Sequence, residues 1–355
     1  MSTILIFLIV IVALVVIHEL GHFFVAKAFG IRVEEFGVGY PPRAKKMFTW
    51  KGTLFTLNWL PFGGFVKIYG EENQSENSQS SFAYQKLWKR VLVVLAGIAA
   101  NMMLAIVLYA LSLGIGFLST SGAFPQSASV GPSQTIVAGV DKDSPASKSG
   151  LMLGDVITEL SAAGKTEKPA DFSGVVSFVK NHPSDAITFS IVRHNTPQTI
   201  VATPVRGAVG ISLADVVRIK MPFWKAVGTA IPYTFKQFGF ILASLKGLIV
   251  GSFGGGNGVL AEVSGPVGIA QVAGQAYALG FGSFLAFVAL ISVNLAVINL
   301  LPFPALDGGR CILECFSKNG RSRIPNRLVS AINQVSFLLL IIFMLYVTYH
   351  DIIRL

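Results

Sequence analysis

The sequence is poor in charged side chains and in cysteine, and both shortages narrow its class. Charged residues make up 13% of the 355 positions, well below the ~25% of a typical soluble protein, while hydrophobic residues make up 52%. The two cysteines, Cys311 and Cys315, are too few for a disulfide scaffold, and their spacing predicts structural side chains on one helix face. Lysine and arginine outnumber the acids 28 to 18, but in a membrane protein such an excess belongs to cytoplasmic loops. The composition excludes a disordered chain and most soluble enzymes and predicts a polytopic α-helical membrane protein with no nucleic-acid partner.

Long uncharged runs predict about four transmembrane helices, because a bilayer core needs ~20 predominantly apolar residues. The predicted spans are 1–27, 88–118, 277–301 and 328–350. A cleaved signal peptide is the alternative for the first span, yet no basic residue precedes its apolar run and no clear small-residue cleavage site closes it. We therefore predict that this helix is retained. The Phe-rich stretch 220–252 contains scattered lysines and predicts an amphipathic helix at the membrane interface, not a fifth span.

The charges of the connecting segments predict the orientation in the membrane. Residues 26–90 carry ten basic side chains against five acids, and residues 302–330 carry five basic side chains. Both segments are expected on the cytoplasmic side, since positive loops stay inside. The stretch 119–220 then lies outside, together with both termini. Its nine basic and eight acidic residues are nearly balanced, which favours a folded domain.

Residues 32–70, on the cytoplasmic side, alternate strand-forming side chains with glycine and proline. This pattern predicts short β-hairpins. We expect them to be membrane-reentrant, which requires that protein or water shields the strand backbone. A polar loop is predicted to follow at 71–87.

His18-Glu19-Leu20-Gly21-His22, near the end of the first span, is the sharpest chemical signal in the sequence. Positions i and i+4 of a helix share a face, so both imidazoles can bind one Zn²⁺ while Glu19 activates a water. The alternative is a pair of histidines that cap carbonyl groups at the helix end. Ionisable residues within a membrane span are costly, so three of them in five positions favour a catalytic zinc site.

A catalytic zinc usually needs a third protein ligand, and no further histidine lies between His22 and His182. Asp307 directly follows the third span, on the cytoplasmic side where His22 is expected. Prolines end the helix before it, and Gly308-Gly309 predict a sharp turn that presents its carboxylate. An ordinary aspartate in a turn is the alternative, but the two histidines lack a third ligand and so favour Asp307.

These motifs resemble those of the site-2 protease family of intramembrane zinc metalloproteases, and most closely the bacterial RseP/RasP type with a single PDZ domain. The matching segments are His18–His22, Pro61-Phe-Gly-Gly-Phe-Val-Lys67-Ile-Tyr-Gly-Glu71, Gly97-Ile-Ala-Ala-Asn101, Ser264-Gly-Pro-Val-Gly-Ile269 and Leu306-Asp307-Gly308. They occur in the family's order and cover nearly the whole chain. The chain departs from the pattern at Ile98, where the family usually has proline, and it has room for one PDZ domain where several relatives carry two.

The resemblance implies roles for individual residues. His18, His22 and Asp307 would hold one zinc ion per chain, and Glu19 would be the catalytic acid and base. A further set would bind substrate near the active site or on the membrane-reentrant β-segment, which pairs with unwound substrate. This set consists of Asn294, Asn299, Pro304, Gly37, Gly39, Gly63 and Gly64.

Residues 128–210 predict one extracytoplasmic α/β domain. The segment Ser144-Pro-Ala-Ser-Lys-Ser-Gly150-Leu-Met-Leu-Gly154-Asp155 resembles PDZ domains of membrane and periplasmic proteases. Such a domain could capture a peptide by strand addition, or it could exclude large substrates by bulk, and the sequence favours neither. His182 and His194 are predicted to be solvated surface residues.

The function predicted from these features is hydrolysis of peptide bonds in transmembrane segments, at a site near the cytoplasmic face of a bacterial inner membrane. By the resemblance, the substrates are single-span proteins such as anti-sigma factors, or remnant signal peptides. A metal transporter is one alternative, but its spans would be expected to carry more polar residues at the midplane. A non-catalytic PDZ scaffold is another, and it leaves Glu19 and Asp307 unexplained.

Overall fold

A computed structural model of the chain describes residues 2–71, 78–120, 124, 128–193, 196–253, 265–315, 317–318, 321–322 and 326–354. These residues form two compact units. The first unit comprises Met1–Tyr109, Val227–Ala273 and Phe287–Leu355, and the second comprises Ala110–Ala226 and Gly274–Ala286.

The elements alternate between long helices and two sheet regions. The helices are α1 Ser2–Ala28, α2 Leu87–Ile115, α3 Pro145–Ser149, α4 Phe172–Asn181, α5 Phe223–Phe253, α6 Pro266–Ala278, α7 Phe281–Leu300, α8 Asp307–Cys315 and α9 Asn326–Arg354. The strands are β1 Val33–Trp50, β2 Thr53–Ile68, β3 Phe117–Thr120, β4 Ser129–Val140, β5 Val156–Ala162, β6 Lys165–Glu167, β7 Ile187–Arg193, β8 Thr196–Ala202, β9 Ile211–Ile219, β10 Ser317–Lys318 and β11 Arg321–Ser322.

Four helices among the described residues are long and apolar enough to cross a membrane, as the sequence predicts. They cover Leu5–Ala28, Leu87–Ile115, Phe281–Leu300 and Ala331–Ile353. Two predicted boundaries are wrong. The second span ends at Ile115 because Gly116 has a positive φ of 99° and the chain then enters β3. The third begins at Phe281 because α6 already ends at Ala278, before Gly280 with its φ of 107°.

The β1–β2 region confirms the strands expected in 32–70, but each strand bends once and so contributes two paired segments. Residues 33–38 pair antiparallel with 64–68, from Val33 opposite Ile68 to Val38 opposite Gly64. On its other side the same segment runs alongside residues 54–57 in the same direction, and residues 43–50 complete the four-segment sheet.

Glycine permits the bends in these two strands. Gly39 and Gly63 have φ angles of 80° and 85°, a backbone conformation that residues with a Cβ rarely adopt. The buried Asn58 amide donates a hydrogen bond to the Gly39 carbonyl at 3.0 Å and fixes the first bend. A buried apolar cluster that includes Phe23, Val33 and Val93 holds the sheet against α1 and α2. The sheet is therefore placed beside the end of α1 that carries the histidines.

The second unit contains a sheet of seven strands in the order β3-β9-β4-β5-β7-β8, with β6 paired to β5. Its core includes Val137, Leu160, Val175, Ile187 and Phe189, and α4 covers it with Val175 and Phe178. The sheet continues past the predicted domain boundary at residue 210, because β9 pairs with β4 along most of its length.

One prediction for this unit is wrong, since His182 is not a solvated surface residue. Its exposed fraction is 7%, its ring packs on Phe178 with 4.4 Å between centroids, and its Nδ1 donates a hydrogen bond to the Phe178 carbonyl at 2.9 Å. His182 is the C-cap residue of α4, so the end of the helix folds its imidazole inward. His194 and residues 72–77 of the predicted polar loop lie outside the described residues.

Candidate metal centre

Helix α1 presents His18 and His22 to α2 in a buried contact, and each has an exposed fraction of 6%. The two helices approach closely because each contributes a glycine to the contact, Gly21 from α1 and Gly97 from α2. A Cβ at Gly21 would lie within 2.9 Å of Ala96 and Ala100, and a Cβ at Gly97 would lie within 2.6 Å of the His18 ring. Side chains at either position would push the helices apart, so the small residues permit the imidazoles to be buried between them.

Asp307 reaches the histidines from the first residue of α8, with an exposed fraction of 7%. The sharp turn predicted at Gly308-Gly309 is wrong, because both glycines lie in the first turn of α8. The two glycines instead permit a close backbone contact. A Cβ at Gly308 would clash with the Leu300 and Leu301 carbonyls, and a Cβ at Gly309 would clash with the Phe303 carbonyl. The glycines let α8 pack closely on the segment that ends α7, which brings the Asp307 carboxylate to the site.

The three side chains converge with the spacing of zinc ligands. His18 Nε2 lies 2.9 Å and His22 Nε2 lies 3.3 Å from Asp307 Oδ2, and the two Nε2 atoms are 3.2 Å apart. Tetrahedral ligands held at ~2.0–2.1 Å from zinc stand about 3.3 Å from one another. Among the described residues, these three form the group of His, Cys, Asp or Glu side chains that could hold a metal. The donor set therefore fits one zinc ion.

Hydrogen bonding fixes which nitrogen of His22 faces the site. Its Nδ1 lies 2.7 Å from the Val93 carbonyl oxygen. A carbonyl only accepts, so Nδ1 carries a proton, and Nε2 is the nitrogen that faces Asp307. Such a contact behind a metal-binding imidazole sets both its tautomer and its orientation.

Asp307 is an anionic ligand at any physiological pH. Burial raises the pKa of its carboxyl, but the neighbouring imidazoles of His18 and His22 outweigh burial and lower the pKa to about 2. Arg310, one turn along α8, lies 3.9 Å from Asp307 Oδ1 and also forms an ion pair with Glu71. The cationic side chain adds to the attraction that keeps the carboxylate charged.

Glu19, for which the sequence predicts the catalytic role, lies close to the three metal-ligand candidates. It lies between the two ligand histidines on α1, within electrostatic reach of both and of Asp307. On its other side is the β1–β2 sheet, where a Cβ at Gly64 would be 3.7 Å from Glu19 Cγ. Glu19 therefore stands between the metal ligands and the strand segment 64–68.

The structure brings together the glycines predicted to bind substrate. Gly64 pairs with Val38 beside Gly37, and a Cβ at Gly63 would lie 3.4 Å from Val15 on α1. Gly39 lies at the bend of β1. The four predicted glycines thus belong to the part of the sheet that adjoins the metal centre.

The predicted polar pair on α7 does not converge in the same way. Asn294 donates a hydrogen bond to the Leu290 carbonyl of its own helix at 3.0 Å. Asn299 is five residues further on, which places it ~140° around the helix. Pro304 lies where Gly309 packs closely, in the segment before α8. A substrate role for these three residues stays a prediction.

Two positions on α2 that lie beside the histidines received no role from the sequence. Gly97 lies against both histidine rings, and Asn101 Nδ2 lies 3.2 Å from His18 Nδ1. The available signal was the segment Gly97-Ile-Ala-Ala-Asn101, which resembles a family motif and places glycine and asparagine four residues apart, on one helix face.

Comparison with known proteins gives a consistent result over nearly the whole chain. A model of the family described as Peptidase family M50 matches residues 6–343. A protein of Clostridium perfringens (strain 13 / Type A) named "Putative zinc metalloprotease" is 36% identical over 348 residues, which cover 96% of this chain and 96% of the relative. A Clostridium acetobutylicum protein of the same description is 30% identical over 347 residues, covering 96% and 94%. "Membrane metalloprotease ARASP, chloroplastic" of Arabidopsis thaliana is 31% identical over 361 residues, covering 96% of this chain and 77% of the relative.

Proposed function

Because this chain belongs to peptidase family M50, we propose that its zinc centre hydrolyses peptide bonds inside the transmembrane segments of single-span substrates. The chain is a membrane-embedded zinc metallopeptidase, the class to which its relatives' names assign them. One observation carries the proposal: the ligand histidines and Glu19 lie on a helix that is itself long and apolar enough to span the bilayer. A peptidase centre within a span acts on a chain that also enters the membrane.

The residues of the centre divide the reaction between them. His18, His22 and Asp307 would hold the zinc, which when bound polarises a carbonyl and acidifies water. Glu19 takes the proton of the attacking water and delivers it to the leaving amine. The buried ligands exclude bulk solvent on the α2 side, so water and substrate approach from the side of Glu19 and the β1–β2 sheet.

The edge of the β1–β2 sheet offers a place for an unwound substrate. A transmembrane helix satisfies its own backbone groups, so its scissile bond is accessible only after local unfolding. Residues 64–68 pair with 33–38 on one side, and among the described residues no strand pairs with their other side. A substrate added there as a strand would have its unwound backbone satisfied, close to Glu19.

The proposed setting is a bacterial cytoplasmic membrane, with the active site near the cytoplasmic face and both termini outside. The excess of basic residues in 26–90 and 302–330 supports this orientation. The substrates would be single-span proteins such as anti-sigma factors that have been trimmed outside, or remnant signal peptides. Metal transport and a non-catalytic scaffold are both less consistent with a peptidase family match and a carboxylate placed beside three ligands.

We further propose that the second unit is a PDZ domain which faces the outside and controls access. The support is its seven-stranded sheet with α4 beside β9, together with the Ser144-capped helix α3 that leads to Asp155. Peptide capture and size exclusion predict different results for a substrate whose outer part is lengthened without changing its end. Capture tolerates the longer substrate, whereas exclusion by bulk abolishes its cleavage.

The first test combines zinc stoichiometry with cleavage of a single-span substrate by the purified protein in detergent. We expect Glu19→Gln to keep about one zinc and to lose cleavage by roughly 10²–10⁴-fold, because proton transfer is removed. We expect Asp307→Ala to lose both zinc and cleavage. Glu167→Gln, which changes an exposed carboxylate on β6 of the second unit, is the control and keeps both.

Two results would contradict the proposal. Cleavage by Glu19→Gln at the wild-type rate would remove Glu19 from the chemistry. Normal zinc content in Asp307→Ala would remove Asp307 from the ligands, and transport or scaffolding would then become the better explanation.

A further inference from the structure

Asn101 is a fully buried polar residue in the middle of α2, and it contacts a ligand histidine from behind. Its exposed fraction is 0%. One end of its amide lies 3.2 Å from His18 Nδ1, on the opposite side of the ring from the metal ligands. The other end, placed as Oδ1, has no hydrogen-bond partner among the described residues. Burying a polar group costs free energy unless the group forms a hydrogen bond. The contact with His18 is therefore the interaction that offsets the burial of the Asn101 amide.

The backbone of Asn101 is held independently of its side chain. Ser292 Oγ on α7 donates a hydrogen bond to the Asn101 carbonyl oxygen at 2.8 Å, and Ser292 is also fully buried. Gly97 lies one turn before Asn101 and gives the histidine rings their space. The helix α2 is therefore fixed in position when it presents the amide to His18.

The two ligand histidines have the same requirement at Nδ1. A neutral imidazole that offers the Nε2 lone pair to a metal carries its proton on Nδ1, and this proton needs an acceptor. For His22 the acceptor is the Val93 carbonyl at 2.7 Å. For His18 the neighbouring polar group is the Asn101 amide. An amide nitrogen cannot accept this proton, whereas an amide oxygen can.

We propose that Asn101 is a positioning residue of the zinc centre, whose amide oxygen accepts the Nδ1 proton of His18 and holds Nε2 ready for the metal. The two ends of a carboxamide have nearly the same shape, so a rotation of the group by half a turn exchanges them without moving any other atom. Both orientations make one hydrogen bond to His18. Only the one with oxygen at Nδ1 leaves Nε2 free to bind zinc.

The expected size of the effect follows from comparable contacts in other zinc sites. Removing a group that orients a metal-binding histidine typically lowers metal affinity by about 10–100-fold. A carboxylate at the same position accepts the proton at least as well as an amide does. The acceptor role therefore predicts opposite results for leucine and aspartate, two residues close to asparagine in size.

The test measures the zinc dissociation constant of the full-length protein by competition with a chelator, without any substrate. We expect Asn101→Leu to weaken binding by about 10–100-fold, and Asn101→Asp to stay within about threefold of the wild type or to bind more tightly. Ser292→Ala is the matched control. It removes the hydrogen bond to the Asn101 backbone while leaving the amide in place, and we expect zinc affinity within about threefold of the wild type.

Three outcomes would overturn the proposal. Wild-type affinity in Asn101→Leu would show that His18 needs no acceptor. Equal losses in Asn101→Leu and Asn101→Asp would show that the amide acts as a donor or by its shape. An equal loss in Ser292→Ala would assign the effect to helix packing.

The design also separates this inference from the proposed function. If Asn101→Leu does not yield folded protein, Asn101→Ala replaces it, with the thermal unfolding of the metal-free protein as the check on folding. The inference rests on the zinc centre and is independent of the substrate. A failure of the cleavage assay with normal zinc binding would contradict the proposed function and leave the role of Asn101 standing.

Discussion

At the scale of single residues, the space around the histidines depends on one missing side chain. Gly97 lies where α2 passes both rings, and a methyl group there would be within 2.6 Å of His18. The neighbouring atoms belong to buried ligands that have little freedom to move. Glycine at position 97 is therefore as much a part of the metal centre as the ligands are.

We therefore expect Gly97→Ala to weaken zinc binding, because overpacking of a buried contact costs about 1–3 kcal/mol. The zinc dissociation constant and the midpoint of thermal unfolding measure this effect. Gly114→Ala is the matched control on the same helix, since a Cβ at Gly114 would meet no atom within 4 Å. Equal zinc affinity in both variants would show that α1 and α2 can separate without disturbing the site.

The metal-ligand candidates could be predicted from the sequence, whereas the contact of Asn101 and the burial of His182 could not. The His18–His22 pair follows from helix periodicity, and Asp307 follows from elimination of the other histidines, since a metal demands a fixed number of ligands. Asn101 carried no such demand, because the residue it contacts is distant along the chain and an amide has no diagnostic spacing. His182 was misjudged because polarity suggests exposure, whereas the end of α4 provides a carbonyl partner within the fold.

At the scale of elements, α9 and α6 are joined through a buried carboxylate. Asp351 accepts hydrogen bonds from the Gly265 amide at 3.0 Å and the Gly268 amide at 2.8 Å. The first amides of a helix have no partner within the helix, so Asp351 caps α6 from a distant part of the chain. The contact holds the last span against the helix that precedes α7.

We expect Asp351→Ala to lower the free energy of unfolding by about 0.5–2 kcal/mol, the usual effect of losing a cap. A fall in the midpoint of thermal unfolding in detergent measures it. Thr348→Ala, on the same helix, removes a hydroxyl that donates a hydrogen bond to the Met344 carbonyl of α9, and it serves as the control. A midpoint that falls as far in Thr348→Ala would assign the effect to the helix itself.

Elements were predicted better than their ends and their bends. The long helices followed from uncharged runs, and the strands of 32–70 followed from their alternating pattern. The four-segment arrangement did not, because the sequence does not show that Gly39 and Gly63 adopt positive φ and fold each strand back on the other. The helical first turn of α8 was not predicted, because two successive glycines by themselves favour a turn. Their place in the helix follows from the close packing of α8 on the segment before it, which the sequence does not show.

At the scale of the whole molecule, the metal-ligand candidates and the buried Asp155–Arg193 ion pair belong to different units. All the metal ligands and Glu19 belong to the first unit. In the second unit, the fully buried Asp155 carboxylate is held by Arg193, with Nε–Oδ1 at 2.7 Å, and by the Met152 amide at 2.8 Å. Each unit thus has its own buried polar centre.

We expect Arg193→Ala to destabilise the second unit by about 2–4 kcal/mol, since it leaves a buried carboxylate without its cation. Limited proteolysis of residues 128–219 reports this loss, and zinc stoichiometry reports the first unit, where we expect no change. Lys168→Ala, which removes the cation of an exposed pair with Glu159, is the control. Loss of zinc together with the second unit would show that the metal centre depends on that unit.

The distance along the chain between His18 and Asp307, 289 positions, has a consequence for biosynthesis. At ~5–20 residues per second, a ribosome needs roughly 15–60 s to add the third ligand after the first. During that interval the nascent chain already carries the two histidines and Glu19 in the bilayer, yet its zinc site lacks a ligand. The protease becomes competent only after α7 and α8 have been added, so α1, α2 and α7 are not exposed to an active site while they insert.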